Sequence, residues 1–453
     1  MKVTIIGTGY VGLTTAVTLA YIGHKVVGVE KDREKLKLIQ SFKSPIYEPG
    51  LEELMELSKD NLSFTDDPVP SVSDSEVVMI AVGTPSKPNG QTDLRDVETA
   101  AREIAEGLFE GRTYTLVIKS TVPIGTNRRV AYIVEQVINA KSKNNIKVNV
   151  ASNPEFLREG SAIKDMLYPD RIVVGSRESE SVDILRRLYR PILEQTFEPP
   201  PFLPRPEGYD LPPFITTDPI SAEMIKYAAN AFLAMKISFI NEIASLCEKV
   251  GADVTEVARG IGLDPRIGSR FLEAGLGWGG SCFPKDTAAL VAMGKELSCP
   301  MRLVETTREV NYRQRERAVE RLQEILKGVR GRIIGILGLA FKPGTDDVRD
   351  SPSIDIIHML LQREAHVRVN DPVAMENAKK VLEGLEVEFL DDPYEMAKGA
   401  DALLLVTAWP QYRKLSLRRL ASVMRTPILF DGRNFFEPEE VRKAGFVYLG
   451  VGR

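Results

Sequence analysis

The feature that most restricts this chain is a β-branched run, KVTII at residues 2–6, leading directly into Gly7-x-Gly9-x-x-Gly12 and a Pro-free stretch of helical character. A second short apolar run, HKVVGVE, follows and closes at Glu30. Strand, glycine turn, helix and strand within thirty residues predict the opening of a doubly wound parallel sheet. In such a turn the glycines allow a tight reversal, close approach of backbone to a pyrophosphate and close helix–sheet packing, while the helix N-terminus faces the phosphates. Glu30 is placed to accept hydrogen bonds from ribose hydroxyls, which favours NAD over NADP. Lys31, Arg33 and Lys35 beside it would also suit a 2′-phosphate.

Further strand candidates are VVMIAVG (77–83), TLVIKS (115–120), VNVASN (148–153) and RIVVGS (171–176), with a helical segment at 98–108. Residues 199–213 hold seven of the 28 prolines and are expected to be a loop or extended connector. Residues 221–251 contain no Pro and no internal Gly, and predict one helix of about 30 residues, apolar around most of its circumference. It should be buried between domains or subunits. Residues 302–327 predict another helix, on which Arg313, Arg315 and Arg317 read as a solvated face. From 331 strand and helix alternate again, with Gly335 and Gly338 but no full glycine fingerprint. The expected fold is α/β: two Rossmann-like doubly wound domains joined by a helical core with a long central helix. The expected divisions are 1–198, a Pro-rich connector at 199–216, a helical part at 217–328 and a second α/β domain at 329–453.

Composition removes several classes of function. The 59 Lys and Arg against 63 Asp and Glu give a net charge of −4, without the basic footprint of a nucleic-acid binder. The three cysteines (Cys247, Cys282, Cys299) and three histidines (His24, His358, His366) are too few and scattered for a disulfide framework or a metal centre, and no GxSxG elbow is present. No apolar run approaches 18 residues, so no membrane span is expected, and a reduced, cytoplasmic protein is the reading.

Chemistry concentrates in GLGWGGSCFPKDTAAL, residues 275–290. Four glycines precede Cys282, and Pro284 suits a helix start, so Cys282 lies beside a helix N-terminus that favours thiolate. Lys285 and Asp286 share that first turn. Cys247 and Cys299 read instead as buried, inert thiols. Glu155 and Glu159 stand four apart; on a helix they would share one face, for acid–base work, ribose binding or simple solvation. Lys226 and Asn230 have the same spacing on the long helix and could stabilise an oxyanion, though each alone is unremarkable.

Together, GTGYVGL, YEPGLEEL, AVGTPS, KSTVPIGT, NPEFLREG, SAEMIKYAANAFLA, GLDPRIG, GWGGSCFPKD, GLAFKPGTDDVRDSPS and DGRN resemble the UDP-glucose 6-dehydrogenase family of nucleotide-sugar dehydrogenases, in order and over nearly the whole chain. The Pro-rich 199–213 stretch departs from the pattern as an insertion. The resemblance implies an N-terminal NAD-binding domain, a helical core and a C-terminal UDP-binding domain. It implies a four-electron oxidation with two NAD per sugar, through a thiohemiacetal and a thioester on Cys282. Asp286 would hold the water that takes the first proton, Lys226 and Asn230 would stabilise oxyanions, and Glu155 would act as base for hydrolysis with Thr121 positioning water.

The same resemblance assigns Val11, Glu30, Lys35, Thr84, Thr121, Glu159, Lys285 and Arg349 to NAD, beside Gly7, Gly9 and Gly12. It assigns Glu155, Phe156, Leu157, Arg158, Lys226, Phe271, Leu272, Glu273, Ala274, Gly275, Gly279, Lys342 and Arg433 to a UDP-sugar. Arg266 would reach the partner's substrate in a homodimer formed along the long helix. UDP-N-acetylmannosamine and GDP-mannose dehydrogenases share this chemistry, and SCFPKD resembles the UDP-glucose branch. A two-electron β-hydroxyacid dehydrogenase would need neither Cys282 nor a second nucleotide-fold domain. A non-enzymatic NAD-sensing dimer would require a broken constellation, whereas every expected polar group is present.

Overall fold

The computed structural model describes residues 1–143 and 145–453. The chain folds into two compact units, Met1–Ala228 and Ala229–Arg453.

The first unit carries an eight-stranded sheet. Its strands are β1 (Lys2–Ile6), β2 (Lys25–Val29), β3 (Leu62–Thr65), β4 (Val77–Ile80), β5 (Thr113–Ile118), β6 (Lys147–Ser152), β7 (Ile172–Gly175) and β8 (Phe214–Thr217). Their order is β3-β2-β1-β4-β5-β6-β7-β8, and only the β6–β7 pairing is antiparallel. The order reverses between β1 and β4, the switch point where ligands of such sheets bind. Both faces are covered: Val77 and Met79 of β4 belong to one apolar cluster, Val78 and Ile80 to the other. That explains why the strand reads VVMI rather than alternating polar and apolar. Each such side chain contributes about 1.5–3 kcal/mol on burial.

The Pro-rich segment forms no helix or strand before β8. It lies against the first unit, where Tyr209 donates to the Pro169 carbonyl (2.7 Å) and packs edge-on to Tyr168.

The second unit carries β9 (Ile333–Leu337), β10 (His366–Asn370), β11 (Val387–Phe389), β12 (Ala402–Leu405), β13 (Ile428–Asp431) and β14 (Val447–Gly450). The order β11-β10-β9-β12-β13-β14 is parallel throughout and reverses between β9 and β12. Gly338 follows β9 with φ 96°, as Gly7 follows β1 with φ 93°. Both units are therefore Rossmann-like.

A 32-residue helix, Pro219–Val250, begins in the first unit and ends in the second. Asp218 caps it by accepting from the Ser221 backbone N–H (3.0 Å) and hydroxyl (2.6 Å), and Pro219 fits its first position.

Three expectations need correction. Residues 153–158 form a loop and the next helix starts at Ala162, so Glu155 and Glu159 do not share a helix face. Arg315 is buried rather than solvated, because its guanidinium pairs with Asp355 and donates to the Trp278 carbonyl (2.8 Å). Cys247 is buried as expected, but Cys299 is exposed, since it falls in the turn after the helix Phe283–Glu296.

Candidate active site

In the first unit the glycine turn does three separate jobs. Gly7 holds a positive φ. At Gly12 a Cβ would lie 1.8 Å from the Gly7 carbonyl oxygen, so only glycine lets the helix Tyr10–Tyr21 sit so close. At Gly9 a Cβ would meet nothing within 4 Å; the space is open. No side chain caps this helix, which leaves its first backbone N–H groups available to an anion. Glu30, just past β2, accepts from the Thr8 hydroxyl (2.7 Å) and the Asp32 N–H (2.9 Å), which fixes its carboxylate. These features fit a dinucleotide. Val11 is half-buried in the first turn of the helix, and Lys35 is exposed beyond Glu30. Thr84 and Thr121 are brought together: the Thr84 hydroxyl donates to the Thr121 carbonyl at 2.9 Å.

Glu155 and Lys226 form an ion pair of 2.9 Å with side-chain exposures of 5% and 4%. Burial pushes the Glu155 carboxyl up, but the Lys226 ammonium, the Leu157 N–H (2.5 Å) and Lys119 outweigh it and hold the group below the usual carboxylate range. The Phe156 ring lies near two cations, with Arg171 3.7 Å and Lys226 5.4 Å from its centre. Arg158 is exposed and forks onto Asp165 (2.6 Å), and Glu159 is buried nearby in sequence.

In the second unit Cys282 is the N-cap of the helix Phe283–Glu296, half-buried, with its Sγ 3.6 Å from the Ser281 hydroxyl. Pro284 occupies the second helical position rather than the first. Asp286 is wholly buried, and its carboxylate is held between Asn230 (2.6 Å) and Lys285 (2.5 Å). Arg308 ties the helix start down by donating to the Pro284 carbonyl (2.7 Å) and the Thr287 hydroxyl (2.8 Å). The glycine-rich approach is equally fixed: Asn311 bonds both the N–H and the carbonyl of Trp278. A Cβ at Gly279 would lie 2.2 Å from the Asp350 carbonyl oxygen.

The 271–275 segment begins with Phe271 at φ 65° and buries Leu272, Ala274 and Gly275, while Glu273 points outward. Arg433 lies against Gly275, where a Cβ would come within 3.0 Å of its guanidinium. It donates to the carbonyls of Val406 (2.6 Å) and Gly277 (3.0 Å), and desolvation pulls it down to about 10. Lys342 is half-buried, with its ammonium 5.5 Å from the Phe341 ring centre. Arg349 is exposed and paired with Asp347 (2.7 Å). Arg266 is 88% exposed and paired only locally, with Asp264 (2.6 Å).

Sequence reasoning missed three buried groups. Glu48 accepts from the N–H groups of Gly160 (2.6 Å) and Ala162 (2.7 Å) and from the Tyr10 hydroxyl, and so pins the loop that carries Phe156–Glu159. Lys119 is buried against Asn153 (3.1 Å) and desolvation pulls it down to about 8. Glu223 holds the start of the helix Thr126–Ala140. YEPG and KSTVP were visible strings, but the partners lie tens of residues away.

Two largely parallel nucleotide-type sheets, a glycine cradle and a thiol at a helix N-terminus fit an NAD-dependent oxidoreductase. Comparison with known proteins places it more closely. Residues 1–193, 220–313 and 335–438 match the NAD binding, central and UDP binding domains of one family. The chain belongs to the UDP-glucose/GDP-mannose dehydrogenase family. It is 49% identical to the UDP-glucose 6-dehydrogenase of Rhizobium meliloti (strain 1021), with 100% of both chains covered. The structure of a UDP-glucose dehydrogenase from Pyrobaculum islandicum superposes with a TM-score of 0.87 at 40% identity, covering 99% of this chain and 97% of that one. A UDP-D-ManNAc dehydrogenase from Pyrococcus horikoshii gives 0.84 at 29% identity, covering 100% and 99%. Among the described residues, no helix is long and apolar enough to cross a membrane.

Proposed function

We propose that the chain oxidises UDP-glucose to UDP-glucuronate through a covalent adduct on Cys282. The observation that carries this reading is the placement of Cys282 as N-cap of a helix whose first turn holds Asp286 between Asn230 and Lys285. NAD supplies the hydride acceptor, two molecules per sugar. Gly7, Gly9, Val11, Gly12, Glu30 and Lys35 hold it, with Thr84, Thr121, Glu159, Lys285 and Arg349.

The residues of the chain do the remaining work. Asp286, fixed between Asn230 and Lys285, holds a water that takes the proton of the C6 hydroxyl as the first hydride leaves. The helix N-terminus favours the Cys282 thiolate, which adds to the aldehyde carbon as the thiohemiacetal oxygen takes a proton. Loss of that proton and a second hydride leaves a thioester. Lys226 and Asn230 stabilise the oxygen at each tetrahedral stage. Glu155 then takes a proton from water positioned by Thr121; the water oxygen joins the acyl carbon and the thiolate leaves. Phe156, Leu157, Arg158, the 271–275 segment, Gly279, Lys342 and Arg433 bind the UDP-sugar.

A homodimer completes the reading. Phe232, Phe239 and Leu246 repeat every seven residues along the long helix and are 49–59% exposed, an apolar stripe that a second copy would cover, with Arg266 reaching the partner's substrate. We place the enzyme in the cytoplasm, in keeping with three cysteines that form no disulfide.

NADH yield with limiting UDP-glucose tests the proposal. Two NADH per sugar with UDP-glucuronate as product are expected. One NADH and an aldehyde would reject the thioester route. Two NADH only from UDP-N-acetylmannosamine or GDP-mannose would keep the chemistry and move the substrate.

A further inference from the structure

Glu223 stands one turn before Lys226 on the long helix and is 3% exposed. One of its carboxylate oxygens accepts from the Gly125 N–H (2.6 Å), the other from the Asn127 N–H (2.9 Å). Gly125 is the N-cap of the helix Thr126–Ala140; it has φ 90° and no side chain to satisfy that helix. A carboxylate from a helix 96 residues further along does so instead. The loop that feeds this cap carries Thr121. It is fastened at its near end by Ser120, which donates to the Val82 carbonyl (2.7 Å), and by Thr84 on the Thr121 carbonyl (2.9 Å). Glu223 fastens its far end. Ser120, Thr121, Ser152, Glu223 and Lys226 line a cavity of about 10 Å³ at this junction, close to the smallest volume that accepts one water.

We propose that Glu223 is a positioning residue whose ionised carboxylate keeps Thr121 in register with Lys226, and that it thereby sets the rate of thioester hydrolysis. The inference rests on the covalent route given under Proposed function. The physical reason is the count of acceptors. An ionised carboxylate offers a full acceptor to each N–H, whereas a protonated one turns its hydroxyl toward a donor and releases one of them. Burial pushes Glu223 up to about 7, so the change falls in the neutral range. The charged groups facing it are Arg128 on the capped helix, which favours the ionised form, Asp218 at the start of its own helix, which opposes it, and Lys226 one turn on. From the β5 and β6 ends the hydroxyl residues Ser120, Thr121 and Ser152 line the cavity, and Lys119 and Glu155 act on Lys226 beyond it.

The test uses the full-length enzyme with UDP-glucose and NAD from about pH 5.5 to 9, with rapid quenching and mass analysis of Cys282. In the wild type, turnover should fall on the acid side near pH 7. Glu223→Gln keeps one acceptor and sets an amide N–H₂ against the other donor. It should lower kcat roughly tenfold, the scale of one charge-assisted hydrogen bond, flatten the acid limb and accumulate the Cys282 acyl adduct while the NADH burst survives. Arg128→Gln leaves the clamp in place and should move the acid limb to higher pH, which serves if the first variant folds poorly. An unchanged acid limb in both variants, or Glu223→Gln turnover within twofold of wild type, overturns the role of Glu223. Absence of any Cys282 adduct and of a second NADH in the wild type would instead overturn the covalent route.

Discussion

Glu155 Oε1 lies 2.9 Å from Lys226 Nζ, and water reaches neither group to any extent. An ion pair so desolvated contributes little net stability when intact, but loss of one partner leaves an uncompensated buried charge. Lys226→Met should destabilise the first unit by about 3–5 kcal/mol, and Glu155→Gln in the same chain should recover part of that loss. Denaturant midpoints of the two single variants and the double variant measure it. Additive losses would show that the pair does not act as a unit.

Gly12 and Gly9 separate packing from ligand space. Gly12→Ala would place its Cβ 1.8 Å from the Gly7 carbonyl oxygen and must displace that carbonyl, so it should lower the melting temperature and abolish NAD binding together. Gly9→Ala meets no protein atom within 4 Å. It should melt within a few degrees of wild type yet weaken NAD at least about tenfold, because the methyl group enters the space of the pyrophosphate. Calorimetric titration beside a thermal melt distinguishes the two.

Cys282→Ser retains a hydroxyl at the helix N-terminus but removes the thiol, whose anion is the nucleophile the covalent route requires. Release of carboxylate should stop. Chromatography of the products over many turnovers is the check, and full conversion to the acid would show that no thioester is needed.

Lys119 makes stability depend on alkaline pH in a defined direction. Its folded value is about 8 and its ordinary value 10.5, so between these limits the unfolded chain binds more protons than the folded one. Stability contributed by this group is fully present above 10.5 and is lost as pH falls through 8. The difference in unfolding free energy between wild type and Lys119→Met should therefore shift in favour of wild type from pH 8 to 10. A flat difference would mean that Lys119 keeps its proton throughout.

Short-range spacing made much of this protein legible. The glycine turn, Glu30, the long helix and the start of a helix at Cys282 all depend on residues within a few turns of one another. β-branched runs identified the buried strands, because a parallel sheet covered on both faces leaves no alternation to misread. Glu155 and Glu159 misled for the opposite reason. Four-residue spacing means a shared face only if the segment is helical, and here the Glu155 carboxylate instead caps its own loop at the Leu157 N–H. Arg315 looked solvated among its charged neighbours because its partner Asp355 lies 40 residues on.

The chain by itself therefore determined two nucleotide-type sheets, a dinucleotide turn and a thiol at a helix N-terminus, since each is written in local backbone preference and periodicity. Only the tertiary structure decided which charges are buried and who neutralises them: Lys226 on Glu155, Asn230 and Lys285 on Asp286, and two backbone N–H groups on Glu223. Desolvation is a property of a place in the fold, and the partners that compensate it are brought together by chain topology rather than by sequence spacing.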